Sequence, residues 1–345
     1  MLSVNVSSKH LKCFHKITGK DNCLWGQIVS NILFLPRSFL AAAIFIIVIA
    51  FCLLLTSVTF LRLSDKTSFL KLTNERLVAA EPPYKVPNIV HYTWYAAPDV
   101  PMKFKHYIGV LSAHKVIQPD KIIIHMNVTQ PPGKYFQKIR ALPTVVALND
   151  GNPDTLLGVK LITSKPMLST DYSDISRIKY LLQDGGIYLD YDVLVIRSFN
   201  DLRKYDCTMG QEMDDLLCGG VIVCSKSSPF LQLWTSAFVA DYRPDKWAYN
   251  SGLQPTRLWR RYPNLLHVEP TKINRPNWTP AGMNKIWGNK TFDWRQNYAL
   301  HTWYRFRAKK CPWYRSHYGD LHPEESDVRT MNNTFGEVTR YILDM

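Results

Sequence analysis

From Phe39 to Leu61 the chain runs FLAAAIFIIVIAFCLLLTSVTFL without a charge, with Arg37 before it and Arg62 after it. At a rise of about 1.5 Å per residue such a helix is roughly 34 Å long, enough to cross a hydrocarbon core of about 30 Å. A cleaved signal peptide would carry a shorter apolar stretch near its start, not one placed behind 38 residues. The pattern therefore predicts an uncleaved signal anchor over 39–61. Residues 1–38 become a cytoplasmic tail, and 62–85, polar and ending in Pro82-Pro83, a stem.

Residues 86–345 alternate between strand-like and helix-like periods. Asn88–Trp94 and Lys121–Met126 are apolar runs of strand length, with a helical stretch from Met102 to Val116 between them, which gives a β-α-β start. Val145–Leu148 and Val159–Ile162 are further short strands. In SDISRIKYLLQD, residues 173–184, Ile175, Ile178, Leu181 and Leu182 make an apolar stripe at helical spacing, and Gly185-Gly186 ends it. A strand over Ile187–Ile196 follows, interrupted by Asp190 and Asp192. Val221–Val223 is a buried strand and Pro229–Val239 a helix. From Tyr242 to Arg315 the chain is rich in Trp, Tyr, Pro and Asn without clear period, as loops lining a site would be. The class is α/β, with one large domain behind the apolar segment.

Composition narrows the partners. Of 345 residues, 46% are hydrophobic and 16 are Gly, which excludes collagen, a disulfide mini-scaffold and a disordered chain. The 42 Lys+Arg against 28 Asp+Glu leave a net charge of +14. These cations are dispersed rather than clustered, which fits an anionic small substrate or a membrane surface better than nucleic acid. The charges flanking 39–61 barely decide orientation. Four N-x-T tripeptides, at Asn127, Asn277, Asn289 and Asn332, favour a lumenal domain. There Cys207, Cys218, Cys224 and Cys311 could form two disulfides in any of three connectivities. A homodimer through span or stem is compatible with the sequence, which specifies none.

On a strand, Asp190 and Asp192 would point to one face, about 6.5–7 Å apart. Two acids between apolar halves need compensation; otherwise they simply end the strand in water. A glycoside hydrolase brings its carboxylates to either side of a bond, usually from different elements. A haloacid-dehalogenase-like phosphatase has D-x-D near the start of its domain, whereas here about 100 domain residues precede it. A divalent cation that holds a nucleotide diphosphate needs hard oxygen ligands and open positions.

The stretch Ser173-Asp174-Ile175-Ser176-Arg177, continuing through Gly185-Gly186-Ile187-Tyr188-Leu189-Asp190-Tyr191-Asp192, resembles the signature S-D-x-x-R…G-G-x-Y-x-D-x-D of the D-x-D glycosyltransferases of family 32. That group is similar to α-1,4-galactosyl- and N-acetylglucosaminyltransferases and yeast α-1,6-mannosyltransferases. Pro87–Trp94, Gly219-Gly220-Val221-Ile222 and Tyr298–Trp303 extend the likeness from Val86 to about Arg307.

The resemblance implies a GT-A-like nucleotide-sugar-binding fold with a Rossmann-like central sheet, behind the N-terminal transmembrane helix. It implies a UDP-sugar donor and Mn²⁺ or another divalent cation, with Asp192 holding the metal directly and Asp190 contacting ribose and sugar. Asp174 and Arg177, neighbours on one helix face, would bind donor hydroxyls and the phosphate end. Tyr188 would lie against the ribose, Trp94 would stack on the base, and His301 would complete the metal shell. Asp190, Asp192 and Arg177 are thus the catalytic candidates. Cys218 stands where the family often has Asn or a small polar residue, which leaves the β-face contact open among Glu212, Asp214 and Asp215. The implied enzyme is a single-pass type II Golgi membrane protein with a lumenal domain, adding a hexose or N-acetylhexosamine to a glycan on lipid or protein with retention. A silent, tethered glycan-binding homologue is the runner-up, and the phosphatase comes third.

Overall fold

After its first residue, every position of β1 (Ile89–Trp94) is buried, as expected of a strand covered on both faces. The computed structural model describes residues 42, 45–59, 83–161, 169–289 and 292–345. In chain order β1 is followed by α1 (Phe104–Ile117), β2 (Lys121–Met126), α2 (Lys134–Arg140), β3 (Val145–Asn149), the hairpin β4 (Thr155–Leu156) and β5 (Val159–Lys160), α3 (Ser169–Asp184), β6 (Gly186–Leu189) and β7 (Val193–Val195). Then come β8 (Cys207–Met213), β9 (Leu216–Cys224), α4 (Pro229–Ala240), α5 (Gln254–Arg261), β10 (His267–Glu269), α6 (Pro280–Trp287) and β11 (Ala299–His301). The helices α7 (Arg307–Lys310), α8 (Pro312–Tyr318), α9 (Glu325–Val328) and α10 (Thr334–Asp344) complete the chain.

The central sheet has seven strands in the order β10-β8-β9-β6-β1-β2-β3. It is mostly parallel, with β9 antiparallel to both neighbours. Side chains alternate across it. Ile187 and Leu189, with Val221 and Val223, pack into one core beside α1 and α10, while Tyr188 and Ile222 pack into the other against α3 and α4. The fold is mixed α/β, as expected.

Four readings of the sequence change. The strand over 187–196 is two strands, because the chain turns at Asp190–Asp192, where the Val193 N–H donates to the Asp190 carbonyl at 3.0 Å. β6 lies in the main sheet and β7 pairs with β11; both are apolar because both are buried, so periodicity runs through the turn. The second disulfide is not formed: Cys207 and Cys224, register partners in β8 and β9, are bonded, while Cys218 and Cys311 are free and buried. Cys218 lies beside His301 and Cys311 beside Asn284. The stretch 242–315 is not loop throughout but is interrupted by the short elements α5, β10, α6, β11 and α7. Its Pro255 and Pro280, which read as loop markers, open helices. The fourth strand candidate shortens to Val159–Lys160, with Ile162 outside the described residues.

Pro82–Met345 form one unit and the segment before it another. Residues 45–59 are helical. Phe45, Ile47 and Leu54 are 66%, 67% and 65% exposed there, and the hydroxyls of Ser57 and Thr59 donate back to the Leu53 and Leu55 carbonyls. Among the described residues no helix is long and apolar enough to cross a membrane. The expected tail 1–38 and most of the stem lie outside the described residues, as do parts of the expected span.

Candidate active site

Two glycine pairs shape the site. α3 ends at Gly185 (φ +68°) and Gly186 (φ +117°), where a side chain would strain the backbone and a Cβ on Gly186 would stand 2.5 Å from the Ile89 carbonyl. That tight reversal delivers β6 straight from α3, so Asp174 and Arg177 come to lie beside Asp190. In β9, a Cβ on Gly219 would meet the Arg177 guanidinium at 2.7 Å, and one on Gly220 would meet the His301 ring at 2.7 Å and Asp190 Oδ2 at 3.1 Å. The missing side chains are the space the site occupies.

Asp190 is pinned by its own N–H, which donates to the Gly220 carbonyl at 2.8 Å, and by the Tyr188 hydroxyl, which donates to its Oδ1 at 2.8 Å. Asp192 Oδ2 accepts from the Tyr304 N–H at 3.0 Å, and its Oδ1 lies 3.2 Å from His301 Nε2. β11 supplies that histidine by pairing antiparallel with β7, which sets His301 opposite Val193. Ligand atoms of Asp190, Asp192 and His301 all lie within 4.8 Å of one another. Two carboxylates and an imidazole so placed form a donor set that suits Mn²⁺ and similar divalent ions. Burial disfavours a charge on Asp192, yet His301, Lys105 and the Tyr304 N–H together hold its pKa well below the usual carboxylate range. Burial likewise opposes a charged His301, but Asp192, Asp190 and Glu212 together raise the imidazole above its ordinary value.

Arg177, 6% exposed, is fully engaged. It pairs with Asp174 at 2.9 Å and donates to the Gly219 carbonyl at 2.7 Å and to the Ser173 carbonyl at 3.2 Å. It also approaches Asp190 at 3.7 Å and lies over the Tyr188 ring at 4.7 Å. Asp174 is pushed up to about 6 by burial, pulled back by Arg177 and raised again by Asp190. Tyr188 is 1% exposed, with its hydroxyl on Asp190 and its ring beneath Arg177.

A cleft of about 400 Å³ opens over these groups and includes Asp174, Arg177, Asp190, Asp192, Glu212 and His301 in its lining. Of the three acids left open by the sequence, Glu212 alone faces it. Glu212 is 4% exposed, accepts from Trp278 Nε1 at 3.2 Å and is raised in pKa by burial. Asp214 stands in water and pairs with Arg275, and Asp215 is 77% exposed. A second hollow, about 280 Å³, adjoins the same carboxylates and is lined by Trp94, Lys105, Tyr188 and Arg305 among others. Trp94 is 8% exposed, edge-on to His106 at 4.8 Å and to Tyr191 at 5.9 Å, and its buried Nε1 has no hydrogen-bond partner. Nothing in the local pattern marks Lys105, whose ammonium pKa is lowered by burial against the pull of Asp192. Neither Trp247 nor Arg305 on the cleft wall stood out among the many aromatic and basic residues of that region.

Residues 116–209 match the family model described as the glycosyltransferase sugar-binding region containing the DXD motif. Over this stretch the chain is similar to that glycosyltransferase family. The matched span holds Asp174, Arg177, Tyr188, Asp190 and Asp192, with Trp94 before it and His301 after it. The chain is similar to glucan organizing enzyme 1 of Cryptococcus neoformans, at 26% identity over 239 residues, covering 63% of this chain and 62% of that protein. To the lactosylceramide 4-alpha-galactosyltransferase of Mus musculus it is 31% identical over 103 residues, covering 30% of this chain and 28% of that one. It thus spans less than two thirds of the length of these relatives. A crystallised galactosyltransferase in complex with donor and acceptor sugar analogues aligns over 74% of this chain and 95% of its own, at 13% identity and a TM-score of 0.36.

Proposed function

We propose that the chain is a single-pass type II Golgi membrane enzyme with a GT-A-like lumenal domain. It transfers a hexose or N-acetylhexosamine from a UDP-sugar to a glycan on lipid or protein, with retention of configuration. The observation that carries this reading is the convergence of Asp190, Asp192 and His301 within 4.8 Å at the base of a cleft.

Asp192 and His301, with Asp190 beside them, would hold the cation. When bound, it would supply positive charge against the leaving diphosphate. The chain's own groups prepare that site. Tyr188 fixes the Asp190 rotamer through Oδ1, the Tyr304 N–H fixes Asp192, and Arg177 locks α3, β9 and Asp190 together through its contacts with Asp174, the Gly219 carbonyl and Asp190. Buried donors and charges set in place beforehand stabilise developing charge at little reorganisation cost. In transfer with retention the acceptor hydroxyl enters on the face from which the diphosphate leaves. A new C–O bond forms as the sugar–phosphate bond breaks, and a diphosphate oxygen takes the hydroxyl proton.

A lumenal place is supported by the Cys207–Cys224 disulfide, which suits an oxidising compartment. The exposed Asn289 and Asn332 are accessible for N-glycosylation. The apolar run 39–61 supports the anchor. Incubation of the chain with a panel of UDP-sugars and Mn²⁺ tests the activity: slow release of UDP from one donor is expected, and no release from any donor contradicts it. Proton NMR of the first product then tests stereochemistry, since a β-anomeric coupling from an α-linked donor excludes retention.

A further inference from the structure

On the rim of the cleft, Trp247 is 55% exposed. A solitary exposed leucine means little on a protein surface, but a large aromatic at the mouth of a polar cleft is informative. Trp247 does not stand alone. It is edge-on to Trp278 at 5.6 Å and to Phe306 at 6.3 Å, and Trp278 packs on Phe306 at 6.0 Å. Arg305 lies 5.5 Å from the Trp247 ring and Lys310 4.0 Å from the Trp278 ring. Among the described residues, neither cation pairs with a carboxylate.

The backbone holds this cluster at a cost. Ala248, next to Trp247, has φ +56° and ψ 9°, a left-handed conformation that a non-glycine residue rarely adopts. It leads into a π-helical turn, Tyr249–Leu253, whose Asn250, Ser251 and Gly252 also line the cleft. Strained residues and π turns collect where a side chain must be aimed for function. The aromatic cluster is also wired to the site, because Trp278 is the donor to the buried Glu212.

We infer that Trp247, held by Trp278 and Phe306, is the subsite on which a sugar ring of the acceptor stacks; this deepens, and rests on, the glycosyltransferase reading above. A saccharide ring presents apolar C–H faces and polar edges, so it needs a flat apolar surface with hydrogen-bonding groups around it. Trp247 supplies the first, and Arg305, with the exposed Asp245 on the same rim, supplies the second. The cluster's continuity with the carboxylate cleft points to the acceptor rather than to a separate protein partner. The ring's free hydroxyl would then project toward Glu212 and the site beneath.

The full chain is tested with lactose, cellobiose and N-acetyllactosamine as probes, by saturation-transfer NMR and by transfer kinetics with the active UDP-sugar. At least one disaccharide is expected to bind. Trp247→Ala should abolish its NMR signal and raise its KM tenfold or more, with the donor's KM within twofold of the original, and Trp247→Phe should restore most of the loss. Absence of binding by all three probes, or binding and KM unchanged in Trp247→Ala, overturns the subsite alone. An unaltered chain that consumes no UDP-sugar overturns the reading beneath it, and the subsite with it.

Discussion

Asp174 shows how one residue can serve the site at the expense of stability. Its folded value of about 6 lies above the ordinary 3.8, with burial as the main cause. Between those values the folded chain keeps a proton that the unfolded chain has released. The group's contribution to stability is therefore full below about pH 4 and lost as pH rises through about 6, a change on the order of 3 kcal/mol. Asp174→Asn has no such titration, so its denaturation midpoint should climb relative to the original between pH 4 and pH 7. Urea titrations at the two pH values measure this, and a constant offset would contradict it. Activity should fall in the same variant, because Arg177 loses the carboxylate that holds it at 2.9 Å.

At the scale of elements, β9 matters as much as the D-x-D turn. Gly220→Ala would drive a methyl into the His301 ring and toward Asp190 Oδ2. Overpacking of this kind costs about 1–3 kcal/mol. The expected outcome is a folded protein whose Mn²⁺ affinity drops tenfold or more, read by metal titration beside a denaturation curve; an unchanged affinity would show that His301 stands apart from the metal site. This role was only half legible in the sequence. Gly219-Gly220 could be matched to a family segment, but nothing local says what approaches the strand, because His301 and Arg177 arrive from β11 and α3. The β-α-β start and the stop at Gly185-Gly186 were legible, since both are written in local periodicity and glycine. The turn at Asp190–Asp192 was not: buried strands on either side carry the same apolar pattern, and only the topology separates them. Trp94 was singled out as a flat ring, whereas its packing against His106 and Tyr191 depends on α1 and the turn.

For the whole molecule, burial sorts the glycosylation candidates that sequence left equal. Asn127 Oδ1 accepts from the Ala96 N–H at 3.1 Å, and Asn277 Oδ1 accepts from the Thr279 hydroxyl at 2.6 Å at the start of α6. Asn289 and Asn332 are exposed. Expressed at full length in a secretory system, the chain should carry glycans at Asn289 and Asn332, seen as an endoglycosidase shift lost in the double Asn→Gln variant. Full protease sensitivity of the domain in sealed microsomes would contradict the lumenal orientation. The central claim is that Asp190, Asp192 and His301 hold a divalent cation that in turn holds the donor's diphosphate. Calorimetric titration of UDP into the protein, with Mn²⁺ and then with excess chelator, tests it most directly. The account predicts binding only with Mn²⁺, and its loss in Asp192→Asn while the circular dichroism spectrum stays that of the folded protein; UDP binding of equal strength in chelator, or in folded Asp192→Asn, would contradict it.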